Sequence, residues 1–104
     1  MTINFFKEHL HEEVEGAKEF AMHANETRAS HPNWSRKLME VSQKKMQTAE
    51  CLIKMLEEYN ALDVKSKEQG FNQGEYDQIY REVMDEYTQA EPQINSMKQM
   101  YNRR

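Results

Sequence analysis

Residues 34–59, WSRKLMEVSQKKMQTAECLIKMLEEY, show the strongest helical pattern in the chain. Positions separated alternately by four and three residues lie along one side of an α-helix, and this spacing is typical of a seam between nearly parallel helices. The positions with this spacing are Trp34, Leu38, Val41, Lys45, Thr48, Leu52, Met55 and Tyr59. All but Lys45 and Thr48 are apolar or aromatic, so the pattern predicts an amphipathic helix that packs against other helices.

Two further segments show the same alternation, one near each end of the chain. In residues 4–28 it selects Phe6, Leu10, Glu13, Ala17, Phe20 and Ala24. In residues 75–101 it selects Tyr80, Val83, Tyr87, Ala90, Ile94, Met97 and Tyr101. Because each of the three segments has one inner side, the sequence predicts an all-α bundle.

Proline and glycine mark the breaks between the predicted helices. Pro32 cannot continue the first helix but suits the first turn of the second, which we expect to span about 32–60. The connection is short, so the first two helices should form an antiparallel hairpin. Residues 61–74 contain Gly70 and Gly74 and no apolar period, and we therefore expect a long linker there.

The third predicted helix contains Pro92, which should produce a kink or a short break between Thr88 and Glu91. With 104 residues the chain should form a single domain, residues 1–104, whose core is small. Three long helices leave a groove that a fourth helix would fill. We therefore expect the bundle to be completed by dimerisation.

Four tyrosines of the third segment are the candidate dimer interface. Aromatic side chains with a polar tip suit interfaces, although they equally suit the rim of a monomer's core. The candidates are Tyr76, Tyr80, Tyr87 and Tyr101.

Composition limits the classes of function. Charged residues make up 31% of the chain and the net charge is −4, which argues against a general nucleic-acid binder. No apolar run is as long as a membrane span, and the first residues, MTINFF, lack the features of a signal peptide. The single cysteine, Cys51, cannot form an internal disulfide. We therefore expect a cytoplasmic protein without membrane or nucleic-acid partners.

The polar positions of the first two inner sides should lie at one level of the hairpin. Glu13 is 17 residues before Ser30, near which the hairpin turns, whereas Lys45 and Thr48 are 15 and 18 residues after it. Equal distances from the turn of an antiparallel hairpin face one another. The sequence therefore predicts that Glu13, Lys45 and Thr48 meet.

The runs EEVEGAKEFAMHA, residues 12–24, and 34–59 resemble the helical hairpin of rubrerythrin-type ferritin-like proteins, above all small uncharacterised members from bacterial and phage genomes. In that family the first helix carries a glutamate ahead of a small residue and an aromatic one, which matches Glu13 and Phe20. The resemblance implies a ferritin-like bundle and, in typical members, a di-iron site.

This chain departs from the family at its metal ligands. The family's second helix carries Glu-x-x-His, and these positions fall on Lys45 and Thr48. Lysine cannot bridge iron, so we expect the metal site to be lost and Lys45 to pair with Glu13 instead. Thr48 would donate to the same carboxylate or to the preceding helical turn. Two alternatives remain at this point, namely separately solvated groups and a wrong helical register.

Two functions follow from this interpretation. The first is a non-catalytic structural or interaction protein, from a phage or prophage, that needs no cofactor. The alternative is a metal-binding or redox protein whose ligands are Glu13, an acid of the third helix and a symmetry mate. The acids considered are Asp85, Glu86 and Glu91.

The remaining candidates are weaker. Glu8 and His11 form a literal Glu-x-x-His motif, and Glu15, Glu19 and His23 follow one another at helical i, i+4 spacing. Both groups lie outside the predicted inner side, and we expect them to be solvated charges. Cys51 has no histidine beside it, which argues against a catalytic thiol. We predict no catalytic residues.

Overall fold

The computed structural model describes residues 3–103 and contains three long helices with no strand in that range. The elements are α1 (Ile3–Thr27), α2 (Pro32–Ala61), a short 3₁₀ helix (Val64–Ser66) and α3 (Gln73–Asn102). The all-α prediction is confirmed, and the long helices begin and end within two residues of the expected positions. Among the described residues, none of the helices combines the length and apolar character that crossing a bilayer requires.

The bundle is elongated, with dimensions of 54 × 20 × 16 Å. α2 runs antiparallel to α1, and α3 then runs parallel to α1. α1 packs along both other helices, whereas α2 and α3 approach each other much less closely. The α1–α2 hairpin is therefore the structural centre of the molecule, and α3 is added to one side of it.

Two buried serines fix the register of this hairpin. Ser42 Oγ donates to the carbonyl oxygen of Ala17 at 2.7 Å, and Ser35 Oγ donates to that of Ala24 at 2.6 Å. The two bonds are seven residues apart on each helix, so one antiparallel register holds over two turns. Small side chains at these four positions let the two backbones approach closely.

The inner side of α2 differs from the one expected from the sequence. Its buried residues are Ser35, Met39, Ser42, Ala49, Ile53 and Leu56. This stripe lies one residue after the predicted one, which is a rotation of about 100° about the helix axis. The predicted α2 seam is therefore wrong, because close contact with α1 favours the stripe with serine and alanine over the one with larger apolar side chains.

The predictions for α1 and α3 are closer to the structure. α1 buries Ile3, Phe6, Leu10, Val14, Ala17, Ala21 and Ala24. Glu13 and Phe20 are thus replaced by their C-terminal neighbours, and both lie half-buried at the flank that faces α2. In α3 the expected Val83, Tyr87, Ala90 and Ile94 are buried.

Pro92 lies inside α3, and the helix continues through it without a break. Proline removes one backbone donor and faces solvent here, while Ala90 and Ile94 on either side of it are buried. These two contacts with the core hold the helix on both sides of the proline, which explains why the expected break is absent.

The linker is more ordered than its sequence suggests. The Asp63 carboxylate accepts a hydrogen bond from the Ser66 backbone N–H at 2.9 Å, which caps the 3₁₀ helix. The bonds from Ser66 hold the pKa of Asp63 below its ordinary value. Gly70 has a φ of 81°, a conformation that favours glycine. The Asn72 side chain then caps α3 by accepting from the Glu75 N–H at 3.1 Å.

Candidate functional site

Glu13 and Lys45 meet in the middle of the α1–α2 hairpin. Lys45 Nζ lies 3.6 Å from Glu13 Oε2, and the two side chains are 29% and 26% exposed. The pair lies at the flank of the helix contact rather than at its centre, because the buried stripe of α2 is rotated by one residue. A partly solvated pair of this kind contributes about 0–1 kcal/mol to stability.

Gly16 makes room for the lysine. A Cβ atom at this position would lie 2.9 Å from Lys45 Cδ and 3.1 Å from its Cε, so the aliphatic stem runs over the bare backbone of α1. The ammonium then reaches Glu13 and lies 5.7 Å from the centre of the Phe20 ring. A glycine inside a long helix is the one signal for this arrangement in the sequence. The spacing of the residues alone did not predict that Lys45 packs on Gly16.

Thr48 does not join this pair. Its hydroxyl donates to the Lys44 carbonyl oxygen at 3.0 Å, one turn earlier in the same helix, and the residue is exposed. The structure therefore brings together two of the three expected residues. An ammonium group already lies beside the Glu13 carboxylate, so these residues do not fit a di-iron site.

The predicted seam of α2 lies at the margin of the helix contact, with three positions exposed and five half-buried, of which Leu38, Leu52 and Tyr59 pack against the core. We call its eight positions, Trp34, Leu38, Val41, Lys45, Thr48, Leu52, Met55 and Tyr59, the outer stripe of α2. Trp34 is 61% exposed and Met55 is 43% exposed. Trp34, Leu38 and Val41 line a shallow apolar depression at one end of this stripe, and the His31 ring stacks on Trp34 at 4.2 Å.

A second depression lies at the other end of the outer stripe. Phe6, Met55, Tyr59 and Leu62 contribute its apolar lining. The Glu13–Lys45 pair thus separates two apolar patches on the same face of the hairpin, the face opposite α3. That face combines one ion pair at its centre with apolar surface on both sides.

Two tyrosines near the beginning of α3 bind α2. The Tyr76 hydroxyl donates to the Leu56 carbonyl oxygen at 2.9 Å, and burial raises the pKa of Tyr76 to about 12. The Tyr80 hydroxyl donates to Glu57 Oε2 at 2.7 Å, and this bond raises the pKa of Tyr80. These hydroxyl groups span the space between the two helices.

Tyr87 continues this series of contacts. Its hydroxyl donates to Glu50 Oε1 at 2.7 Å and lies 3.2 Å from Glu91 Oε2. Burial first, and then the Glu50 contact, raise the pKa of Tyr87. Tyr87, Glu50 and Glu91 line a groove of about 280 Å³ between α2 and α3, and Met46 and Lys98 also line it.

Tyr101 lies near the other end of α3, where the Arg28 guanidinium sits 4.9 Å from the centre of its ring. All four candidate interface tyrosines therefore make contacts within the chain. Tyr76 and Tyr87 are buried, which leaves little of their ring surface for a partner. Their role in dimerisation stays a prediction.

A histidine and two glutamates converge on the opposite flank of α1. His11 Nδ1 lies 2.6 Å from Glu86 Oε1, and one ligand atom each from His11, Glu15 and Glu86 lies within 4.8 Å of the others. Lys18 Nζ lies 3.2 Å from Glu15 Oε1 and shares this carboxylate. Glu86 is thus directed to His11 rather than to Glu13.

The remaining candidates stay apart from these groups. His23 Nδ1 lies 3.2 Å from Glu26 Oε2, one turn further along α1 than His23 itself. Cys51 is an exposed free thiol. Of the third-helix acids, Glu91 lies beside Tyr87, and Asp85 is exposed.

Comparison of the chain with protein-family models, with curated protein sequences and with solved structures finds no match.

Proposed function

We propose that this chain is a non-catalytic interaction protein with a ferritin-like helical hairpin in which an ion pair has replaced the metal ligands. The observation that supports this most strongly is the outer stripe of α2. It has the spacing of a helix seam, is exposed or half-buried along its whole length, and carries the Glu13–Lys45 pair at its centre.

The chemistry of the pair argues against metal at this place. Divalent iron or manganese needs anionic or neutral donors, and the Lys45 ammonium brings a positive charge to the Glu13 carboxylate. Thr48 offers a hydroxyl that already donates to its own helix. A cation would have to displace the ammonium and would then find a single carboxylate.

The apolar part of the stripe supports a role in interaction. Single exposed apolar residues are common on proteins, but contiguous apolar patches mark contact surfaces. Here exposed and half-buried apolar side chains repeat along α2 with the spacing of a coiled-coil seam. A polar pair inside such a seam typically fixes the register of the helices that meet there.

Elemental analysis of native protein purified without chelators or an affinity tag tests the loss of the metal site. We expect iron, manganese and zinc far below one ion per chain. Near-stoichiometric metal that Glu13→Ala removes would overturn the proposal.

Restoring the family's motif sharpens this test. Lys45→Glu combined with Thr48→His recreates Glu-x-x-His, and we expect this variant to bind Co²⁺ with a visible absorption band that wild-type protein lacks. The single variant Thr48→His is the matched control, because it keeps Lys45. An equal Co²⁺ signal from wild-type protein would contradict the proposal.

A second candidate function is the binding of a divalent cation by His11, Glu15 and Glu86. The observation that favours it is the convergence of an imidazole and two carboxylates from α1 and α3. The short His11–Glu86 contact and the Lys18–Glu15 pair also account for the cluster without a cation.

Calorimetric titration with Zn²⁺ separates the two explanations. A metal site would lose its affinity with His11→Ala and keep it with His9→Ala, a control histidine on the same helix that is 48% exposed. Equal weak binding by both variants and by wild-type protein would leave the cluster as a set of surface ion pairs.

A further inference from the structure

We propose that a second copy of this chain covers the outer stripe of α2, in a two-fold symmetric dimer whose axis runs parallel to the helices. Rotation about such an axis places α1 of each copy over α2 of the other at the same level. The result is a four-helix arrangement in which every neighbour is antiparallel. This inference rests on the proposed function and names the partner of the same surface.

The size of the face fits such a dimer. From Trp34 to Met55 the outer stripe extends about 32 Å at the rise of an α-helix, and two adjacent helices are about 20 Å wide. The face therefore offers about 600 Å² in projection, close to the roughly 800 Å² of accessible surface that each partner contributes to a standard interface. Gly16 lies on the α1 part of this face and keeps it flat there.

The two edges of the face carry opposite charges. Glu12 and Glu19 are exposed along the outer edge of α1, and Lys37 and Lys44 are exposed along the outer edge of α2. Each pair is separated by seven residues, which returns to almost the same direction on a helix. The exposed Glu40 lies between these two lysines along α2, but its direction on the helix is about 40–60° further from the face. Nearest the face, the hairpin therefore has one acidic edge and one basic edge of equal repeat.

In the dimer, the hairpin register makes the lysines of one copy alternate along the helix axis with the glutamates of the other copy. Ser42 is level with Ala17, so Lys44, two residues further along α2, is level with residue 15 of α1. By the same register Lys37 is level with residue 22. Over the partner's α1 edge, Lys44 then falls between Glu12 and Glu19, and Lys37 falls just beyond Glu19. Successive opposite charges alternate at intervals of about 5 Å.

This charge pattern favours a second copy of the chain as the partner, and it favours the parallel two-fold axis over a perpendicular one. An axis perpendicular to the helices would place α1 over α1, so that the acidic edges of both copies would meet. With the parallel axis, each acidic edge instead faces the basic edge of the other copy. This contact occurs twice in the dimer, as an isologous interface requires. Glu13 and Lys45 of the two copies would lie around the axis, where each ammonium is shared between two carboxylates.

The single tryptophan provides a direct measurement of this contact. Trp34 is 61% exposed in the chain, so its emission should shift to shorter wavelength as protein concentration rises, in parallel with a molar mass that doubles in analytical ultracentrifugation. Val41→Asp, on the outer stripe, should abolish both changes. Lys54→Asp, an exposed position of α2 away from the stripe, is the matched control and should preserve them.

Mixing two charge-reversed variants tests the geometry. Variant A carries Glu12→Lys and Glu19→Lys, and variant B carries Lys37→Glu and Lys44→Glu. Each variant alone places like charges on both edges and should dimerise at least roughly tenfold more weakly than wild-type protein. An equimolar mixture should restore the dimer, because each edge then meets its opposite charge. All four positions are exposed, and circular dichroism verifies that both variants remain folded.

Each other outcome overturns the inference. A chain that stays monomeric at all concentrations, or a dimer that Val41→Asp leaves intact, would show that a second copy does not cover the stripe. Undiminished dimerisation of each variant alone would show that the α1 edge does not lie over the partner's α2 edge. The proposed function fails separately, through stoichiometric metal bound at Glu13, so a monomer without metal would contradict only the dimer.

Discussion

The two neighbouring stripes of α2 differ in a way that side-chain polarity does not explain. The buried stripe includes Ser35, Ser42 and Ala49, while the outer stripe includes Trp34 and Met55. Each stripe contains two polar residues, Ser35 and Ser42 in the buried one and Lys45 and Thr48 in the outer one. Close approach of α1 and α2 needs small side chains. The hydroxyls of the two buried serines donate hydrogen bonds to carbonyl oxygens of α1, so their burial leaves no donor without an acceptor. Burial in this hairpin therefore depends on the size of the side chain at the close contact as well as on hydrophobicity.

The largest expected difference between the stripes comes from adjacent residues. Leu56 is fully buried and Met55 is 43% exposed. Leu56→Ala should lower the free energy of unfolding by about 2–5 kcal/mol through a cavity, and Met55→Ala by less than about 1 kcal/mol. Urea unfolding at a concentration where the chain is monomeric checks this. Equal losses would show that both stripes are buried in one chain.

A smaller but still clear effect should follow from filling the close contact. Ser42→Leu places a large side chain between α1 and α2 and removes the bond to Ala17, and we expect a loss of about 1–3 kcal/mol. Thr48→Leu, on the outer stripe, should change stability by less than about 0.5 kcal/mol. Thermal unfolding followed by circular dichroism compares the two. A tolerated Ser42→Leu would mean that the hairpin is not closely packed there.

The contact between α2 and α3 should weaken at high pH. The pKa of Tyr76 in the folded chain is about 12, above its ordinary value of 10.0, so the folded state holds the proton that the unfolded state releases. Stability is therefore complete below pH 10 and declines as pH rises towards 12, by about 1 kcal/mol at pH 11 from this group. Urea unfolding between pH 9 and 11.5 measures the decline.

Tyr76→Phe is the control for this pH dependence. It should reduce stability at pH 8, because the bond to the Leu56 carbonyl oxygen is lost, but it should make the decline above pH 10 shallower, since Tyr80 and Tyr87 still contribute to it. An unchanged slope in this variant would assign the decline to other groups, of which Tyr80 and Tyr87 are the first to examine.

The smallest effect is expected at the ion pair itself. Lys45→Met should change the free energy of unfolding of the monomer by less than about 1 kcal/mol, because the pair is partly solvated. Lys54→Met is the matched control on the exposed side of α2. A loss of several kcal/mol with Lys45→Met alone would show that the pair acts as a buried interaction.

A double-mutant cycle with Gly16 sharpens this comparison. Gly16→Ala should stabilise α1 by about 0.5–1 kcal/mol when Lys45 is already alanine, which has no atoms beyond Cβ to meet the new methyl group. In wild-type protein the gain should be smaller, because the new Cβ would lie 2.9 Å from Lys45 Cδ and push the lysine aside. Equal gains in both backgrounds would show that Gly16 does not seat the lysine.

The sequence was sufficient to predict the helices and the level at which they meet. Apolar period, Pro32 and the glycines of the linker give three helices with nearly correct ends. Equal distance from the turn brings Glu13 to Lys45, and this holds even though the α2 seam was assigned to the wrong residues. Distance along a helix is fixed by a rise of about 1.5 Å per residue, so position along the axis follows from counting.

Only the tertiary structure decided which side of each helix is buried and what the side chains touch. One residue is about 100° of rotation, and α2 offers two stripes with the same spacing, so periodicity alone cannot choose between them. The choice depends on how closely α1 approaches, which Ser42 and Gly16 permit from opposite helices. The hydrogen bonds from the tyrosines of α3 likewise depend on the distance between α2 and α3. The spacing of residues within one helix does not determine that distance.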